Sequence, residues 1–446
     1  MTLQKYPEMK DSGVPWIGEI PKHWNVKQLR YVVKEIVSGP FGSDLKKESY
    51  VSKGYKIYGQ EQVISEDLTF GNYYISKEKF EKMRRFRVQR DDILVSCVGT
   101  FGKIALVPKN SEEGIINPRL IKIDSLQTQI LPKFLYTYLK SSIVFAQLDE
   151  LSRGGTMDII NSSILSGILV FLPPINEQKE IITFLNTKTS KINNEISKNQ
   201  KLVKLLNELR QSTINHAITK GLDDTVPMKD SRIEWIGKIP LKWNVKKIKF
   251  TSYVKGRIGW QGLRSDEFTT KGPYLITGTD FIDGKIDWST CNHVEFWRYE
   301  QNPYIQIKKN DVLITKDGTI GKVALIDNVP DKTTLNSGVM VVRPLKKSYD
   351  PRYLYWILKS KHFINFIDLI KQGSTIQHLY QETFENFQFV LPDSSEEQKQ
   401  IVNYLDKKTK KTEVLISKVE SQIQKLQELR ESLISSAVTG KICIIN

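Results

Sequence analysis

Residues 9–26 read MKDSGVPWIGEIPKHWNV, and residues 228–245 read MKDSRIEWIGKIPLKWNV. The second stretch begins 219 positions after the first. Asp92 to Val107 (DILVSCVGTFGKIALV) answers Asp311 to Ile326 (DVLITKDGTIGKVALI) at the same spacing, and Pro132 to Tyr136 answers Pro351 to Tyr355. One inserted residue later, Glu177-Gln178-Lys179 answers Glu397-Gln398-Lys399, and Leu206 to Arg210 answers Leu426 to Arg430. Solenoid units run about 20 to 50 residues, so this period means a duplicated domain pair rather than a repeat array. The expected geometry is a pseudo-two-fold, the single-chain counterpart of a symmetric dimer. The likeness is weak between about 30–90 and 249–309. One architecture with two specificities accounts for that; neutral drift after duplication is the alternative.

Each half reads as an α+β head followed by one long helix, giving boundaries at 1–175, 176–221, 222–394 and 395–446. Tyr55-Lys56-Ile57-Tyr58 and Tyr274-Leu275-Ile276-Thr277 read as strands, and Ile93 to Ser96 with Ile104 to Val107 as a hairpin about Gly99-Thr100-Phe101-Gly102. Pro132 to Gln147 and Pro351 to Ile367 read as helices with Pro in the first turn. From Asn176 to Thr219 and from Ser395 to Thr439 there is neither Pro nor Gly. There the apolar residues recur at a spacing of three and four. Leu185, Ile192, Ile196, Val203 and Leu206 form one seam, and Leu405, Ile416, Val419, Ile423 and Leu426 the other. Ile182 and Val402 extend these seams; Thr189, Asn199, Thr409 and Thr412 interrupt them. Asn176 is expected to cap the first helix, and Ser395 with Gln398 to form a capping box on the second. Such long amphipathic helices need a partner, and the expected arrangement is two helices paired as an antiparallel coiled coil. Separate packing of each helix on its own head is the alternative.

The 446 residues include 66 Lys and Arg against 50 Asp and Glu, a net charge of +16. A pI near 9.4 points to a polyanion as partner, above all nucleic acid. No apolar run approaches the length of a membrane helix, and the first residues lack the apolar core of a secretory leader. Cys97, Cys291 and Cys443 are scattered and odd in number, which argues against a disulfide framework and for a reducing, cytoplasmic setting.

Catalytic motifs fail on inspection. A phosphate loop around Gly102-Lys103 would need Gly where Cys97 stands and Ser or Thr where Ile104 stands; Lys316 and Val323 fail likewise. Asn117-Pro118-Arg119 and Leu172-Pro173-Pro174-Ile175 both miss the Asn/Asp-Pro-Pro-aromatic pattern of an amino-methyltransferase. The two Glu-Gln-Lys triplets spell the Glu-x-Lys of a nuclease. They fall in a first helical turn, where acidic residues suit the dipole, and no Pro-Asp lies at a suitable upstream distance. His23, His216, His293, His362 and His378 show no ligand spacing. No catalytic residue and no metal ligand is assigned. A self-contained enzyme with a degenerate motif, or a coiled-coil scaffold without a DNA role, would be the competing classes.

Two similar heads on a helical spacer suit two half-sites on one DNA duplex. Arg84, Arg85 and Arg87 cluster with Lys82 and Phe86. Arg257, Trp260, Gln261 and Arg264 share a Gly-rich loop. Arg153 and Thr156 stand where Gln372 and Thr375 stand in the second half, with Gln377 and His378 close behind. Arg reads guanine and Gln reads adenine by paired hydrogen bonds. Lys103, Lys316 and Lys322, beside the Gly turns, suit phosphate. The plain alternatives are a solvated surface for any one Arg and a core aromatic for Trp260.

The paired WIGEIPKHW and WIGKIPLKW segments, DVLITKDGTIGKVALI, the helix starts PPINEQKEI and SSEEQKQI, and ELRQSTINHAITKG with ELRESLISSAVTGK carry a specific resemblance. The chain resembles the specificity subunit of type I restriction–modification systems along essentially its whole length. The first copy departs by Thr219-Lys220-Gly221 in place of Thr-Gly-Lys, and by Cys97-Val98 in place of Lys-Asp. The resemblance implies two target-recognition domains, each reading half of an asymmetric split DNA site, with the helices setting the gap. It implies two modification subunits that methylate adenine, and restriction subunits, as partners, with no membrane association. S-adenosylmethionine, ATP and magnesium would belong to those partners, and no cofactor to this chain.

Overall fold

Strand Ile93–Ser96 is buried at every residue, and so is its counterpart Val312–Thr315. Alternate side chains explain why. Ile93 and Val95 enter one core and Leu94 another; Val312 and Ile314 enter one and Leu313 another. A strand apolar on both faces must lie between two layers. The computed structural model describes residues 4–15, 17–97, 103–151, 161–234, 236–258, 261–372 and 378–444.

These strands are central in two antiparallel four-stranded sheets of identical order. In the first head Val33–Ser38, Leu120–Ser125, Ile93–Ser96 and Ile104–Leu106 lie side by side. In the second the order is Ser252–Gly256, Val339–Pro344, Val312–Thr315 and Val323–Leu325. A second sheet packs on each. Its constant element is a parallel pair, Tyr55–Tyr58 with Gly114–Ile116, and Thr269–Ile276 with Thr333–Leu335. Around that pair the heads diverge. Tyr50–Val51, Tyr74–Ile75 and Arg87–Val88 complete five strands in the first, whereas Asn292–His293 completes three in the second. The divergent strands fall in the stretch where the two sequences least resemble each other. The fold is α+β.

The helices expected over Pro132 to Gln147 and Pro351 to Ile367 are each broken in two: Pro132–Leu139 and Ser142–Leu151, then Pro351–Leu358 and Lys361–Gln372. Equivalent buried serines sit at the breaks. Ser141 Oγ donates to Tyr138 O and Ser360 Oγ to Ile357 O, each at 2.6 Å. A hydroxyl that bonds back into the preceding turn competes with helix continuation.

The long helices run Ile175–Lys220 and Ser395–Val438. The chain forms two compact units, residues 1–200 with 421–446, and residues 201–420. In the first unit Ile181 and Leu185 share a core with Ala437 and Val438, and Arg430 Nη1 donates to Asn193 Oδ1 at 2.8 Å. In the second, Ile214 and Ile218 share a core with Ile401 and Leu405, and Arg210 lies 3.5 Å from Glu413. Both pairings are antiparallel. Leu185, Leu405, Ile196 and Ile416 are buried, while Ile192, Val203, Leu206, Val419, Ile423 and Leu426 are half-buried. Where only two helices meet, a seam residue keeps an open flank.

Two capping expectations are corrected. The first helix starts at Ile175, so Asn176 lies inside it, and Ser394 rather than Ser395 accepts from Glu397 N, at 3.3 Å. Gln398 does not reach back to the cap. Its Oε1 accepts from Asp350 N at 2.9 Å and its Nε2 donates to Pro392 O at 2.9 Å. Gln178 does the same in the first copy, accepting from Leu131 N and donating to Gln129 O and Pro173 O. The preceding glutamate also faces the head. Glu177 is 2% exposed and accepts from His23 Nε2 at 2.8 Å, Trp24 Nε1 at 3.0 Å and the Tyr6 hydroxyl. Glu397 accepts from Trp243 Nε1 at 3.0 Å. The Glu-x-Lys spelling is thus a joint between head and helix.

One buried acid is paired in the second head and not in the first. Asp311 is clamped by Arg343, Nε to Oδ1 at 2.7 Å and Nη2 to Oδ2 at 2.6 Å. The position of Arg343 in the first head holds Asp124, 219 residues earlier. Burial therefore pushes the Asp92 carboxyl up to about 6, and Asp124 and Glu35 add to the rise. The native state then binds this proton more tightly than the unfolded chain, whose value lies near 3.8. The associated stability is full below pH 3.8 and lost as the pH rises through 6. Asp92→Asn is expected to stabilise the protein by about 2–3 kcal/mol at pH 7.5 and to change little at pH 4. Urea unfolding at the two pH values measures this; an equal shift at both would refute it.

Candidate nucleic-acid interface

The strand order brings three connections to one end of each central sheet. In the first head, Ser38 pairs with Ile121, Leu120 with Ser96, and Ile104 with Val95. The loop after Ser38, the turn before Leu120 and the hairpin tip therefore adjoin. Gly39 N donates to Leu120 O at 2.8 Å, Cys97 N to Arg119 O at 3.1 Å, and Ser96 N to Lys103 O at 2.9 Å. Gly39 must be glycine, because a Cβ there would stand 1.9 Å from the Asn117 carbonyl oxygen. The close approach leaves Phe41 83% exposed at the loop tip. Lys103 and Arg119 are exposed on the same end.

The second head repeats the arrangement. Gly256 pairs with Met340, Lys316 N donates to Gly338 O, and Thr315 N to Lys322 O. The hairpin tip is closed by Thr315 Oγ1, which donates to Thr319 O at 2.6 Å and accepts from Lys322 N at 3.0 Å. Gly318 and Gly321 take the positive φ values of 66° and 83° that the tip demands. Leu379 N donates to Lys316 O at 2.9 Å, and His378 Nδ1 bonds the Asp317 carboxylate. The segment after residue 377 thereby joins this end, with exposed Tyr380 4.5 Å from the His378 ring. Lys316, Lys322 and His378 lie at this end of the sheet.

Other proposed contacts have different work. Arg257 is 1% exposed, and its Nε donates to Leu335 O at 2.8 Å and its Nη2 to Thr334 Oγ1 at 3.1 Å. Burial, then the charge of Arg298, lowers its pKa to about 10. It holds the loop from beneath and does not reach solvent. Arg87 lies across the Phe80 ring at 4.1 Å and pairs with Glu81 at 2.8 Å. Arg84 also pairs with Glu81, at 2.9 Å, and Arg85 is exposed. Arg84 and Arg85 precede strand Arg87–Val88 of the second sheet, which Arg87 opens. Gln261 Oε1 accepts from Asn302 Nδ2 at 2.8 Å, and Arg264 is exposed. Arg153, Thr156, Trp260, Thr375, Gln377 and the Gln372 side chain lie outside the described residues.

Phe41 and its counterpart Ile258, 53% exposed, were not singled out from the sequence. The signal was present. Gly39-Pro40-Phe41-Gly42 and Gly256-Arg257-Ile258-Gly259 share a G-x-apolar-G pattern, but 217 rather than 219 positions apart. Arg119 and Tyr380 carried no comparable signal. Each edge offers cations and an exposed apolar residue. That combination can hold phosphate and meet base edges. Among the described residues no group of His, Cys, Asp or Glu is placed to hold a metal ion. None of the described helices is long and apolar enough to cross a membrane.

The sequence profile of the type I restriction modification DNA specificity domain matches residues 21–205 and again 258–425. The chain belongs to this family. It is a type I restriction–modification DNA specificity subunit, with one match in each half. The MjaIX type I restriction enzyme specificity subunit of Methanocaldococcus jannaschii is 28% identical over 455 residues, covering 96% of this chain and 95% of that one. A solved chain from work on complex assembly and conformational transition of the type I R-M system superposes with a TM-score of 0.73 at 17% identity, covering 95% of this chain and 99% of that one. The HsdS subunit of Thermoanaerobacter tengcongensis gives 0.53 at 17% identity, covering 97% and 100%. At such identities the two structures speak for the fold.

In this specificity subunit, Lys316→Ala is expected to weaken DNA binding and to lower the salt dependence of log K by about one. Arg257→Met should instead lower the melting temperature, because it removes a buried, hydrogen-bonded guanidinium. Titrations at several salt concentrations, beside thermal melts, separate the two. A salt slope unchanged by Lys316→Ala would remove that residue from the interface.

Proposed function

We propose that each head reads one half of an asymmetric, bipartite DNA site with the sheet end described above, and that the helices fix the unread gap. The observation that carries this reading is a contrast within the chain. The order of the central sheet, its hairpin and the tryptophan-to-glutamate bond at the joint recur in both halves, while the second sheet and the loops that follow Ser38 and Gly256 differ. Identical halves would suit a palindrome; a shared scaffold with unlike edges suits two different half-sites.

On this reading the chain is the non-catalytic recognition part of a larger enzyme, acting in the cytoplasm. Two modification subunits would methylate adenine with S-adenosylmethionine. Restriction subunits, using ATP and magnesium, would cut unmodified DNA. The failed catalytic motifs and the absorption of both Glu-Gln-Lys triplets into buried joints support a binding role.

Mapping N6-methyladenine in cells that express the chain with its neighbouring modification subunit should yield a split, asymmetric motif. Methylation indifferent to changes within 30–160 and 250–380 would refute the reading. A seven-residue insertion in both helices adds about 10 Å. At 3.4 Å per base pair, the gap should grow by about three base pairs while both half-sites stay the same. Altered half-sites would contradict the spacer role.

A further inference from the structure

Each unit has an open cavity between its Tyr- and Lys-bearing helix and the long-helix segments, of about 450 Å³ in the first and 480 Å³ in the second. The walls correspond. Tyr136, Lys140 and Arg430 line one; Tyr355, Lys359 and Arg210 line the other. In the first unit a carboxylate is built in. Glu66 accepts from the Tyr136 hydroxyl at 2.8 Å and from Lys140 Nζ at 2.7 Å. It does so from a left-handed backbone, φ 55°, unusual for glutamate.

In the second unit the residue against the tyrosine hydroxyl is Gly284, also at positive φ, 83°, and so close that a Cβ would stand 2.2 Å from Tyr355 Oη. No carboxylate bonds the tyrosine and the lysine there, although Asp283 and Glu413 line the cavity. Among the described residues neither the Tyr355 hydroxyl nor Lys359 Nζ has a hydrogen-bond partner. The two lysines respond in opposite directions. The bonds to Glu66 and Tyr136 outweigh burial and hold the Lys140 pKa up; burial and the Arg210 charge push that of Lys359 down.

We propose that the Tyr355–Lys359 pocket receives an acidic side chain of a partner protein, in the place that Glu66 fills in the first unit. This rests on the functional reading above, which makes the modification subunit that partner. A single carboxylate fits better than DNA, because Asp283 and Glu413 also line the cavity and repel the row of charges on a polyanion more than they repel one charge.

The full chain is co-expressed with its modification subunit, and assembly is followed by native mass spectrometry and binding titration. DNA affinity of the chain alone is measured separately. Lys359→Met and Tyr355→Phe are each expected to weaken the uptake of one modification subunit at least tenfold and to leave DNA affinity unchanged. Tyr355→Phe removes a single oxygen and keeps the test open if Lys359→Met fails to fold. Lys140→Met, whose ammonium is already engaged, should leave assembly intact. Normal assembly by both Tyr355→Phe and Lys359→Met, equal harm from Lys140→Met, or lost DNA affinity with normal assembly would each overturn the proposal. A wild-type chain that took up no modification subunit would instead refute the functional reading itself.

Discussion

The rest of the structure depends on an acid bonded to the head at the start of each long helix, buried at Glu177 and half-buried at Glu397. Glu177 is withdrawn from water and satisfied by Trp24, His23 and Tyr6, and Glu397 is bonded by Trp243. An unpaired carboxylate in such a place would cost several kcal/mol, so the helix can start only where the head supplies those donors. Gln178 and Gln398 add bonds to backbone groups of the same head. The helix direction is thereby tied to the head rather than left to a flexible linker.

The same tryptophans also receive a helix end. A Cβ on Gly440 would stand 3.3 Å from the Trp24 ring, and one on Gly221 equally near the Trp243 ring. Both glycines take positive φ, 69° and 82°. Their order with lysine is reversed between the copies, and both lysines bond the backbone of the opening motif, Lys441 to Ile17 O and Lys220 to Lys238 O, two positions farther along. The departure of Thr219-Lys220-Gly221 therefore keeps the glycine against its tryptophan and moves the lysine's acceptor by two positions. Trp24 and Trp243 are pinned from the acid side and from the glycine side. This explains why the opening motif, the Glu-Gln-Lys triplet and the helix ends are the segments most alike in the two halves. The second sheet and the loops that follow Ser38 and Gly256 escape these demands, and they are where the halves differ.

Much of the scaffold was legible in the sequence because it is periodic or repeated. The seam residues read from spacing are the ones turned inward, and the strand at Ile93 and its counterpart at Val312 were evident from their apolar runs. The breaks at Ser141 and Ser360 were not, since a serine inside an apolar helix pattern signals a break only once its hydroxyl is seen to bond backwards. The site was less legible. Arg257 looks like a base reader in sequence, and only the packing of its guanidinium under the loop shows a structural role. Phe41 was hidden by a two-residue shift in the repeat. Composition and motif identify chemistry, but exposure decides which residues can use it, and exposure depends on contacts distant in sequence.

The central claim is that reading edges can change while the joints and helices stay fixed. Its most direct measurement is an exchange of residues 30–125 for the matching segment of another family member, followed by N6-methyladenine mapping. The account predicts a new sequence in one half-site, with the other half-site and the gap unchanged. A change in both half-sites or in the gap would contradict it.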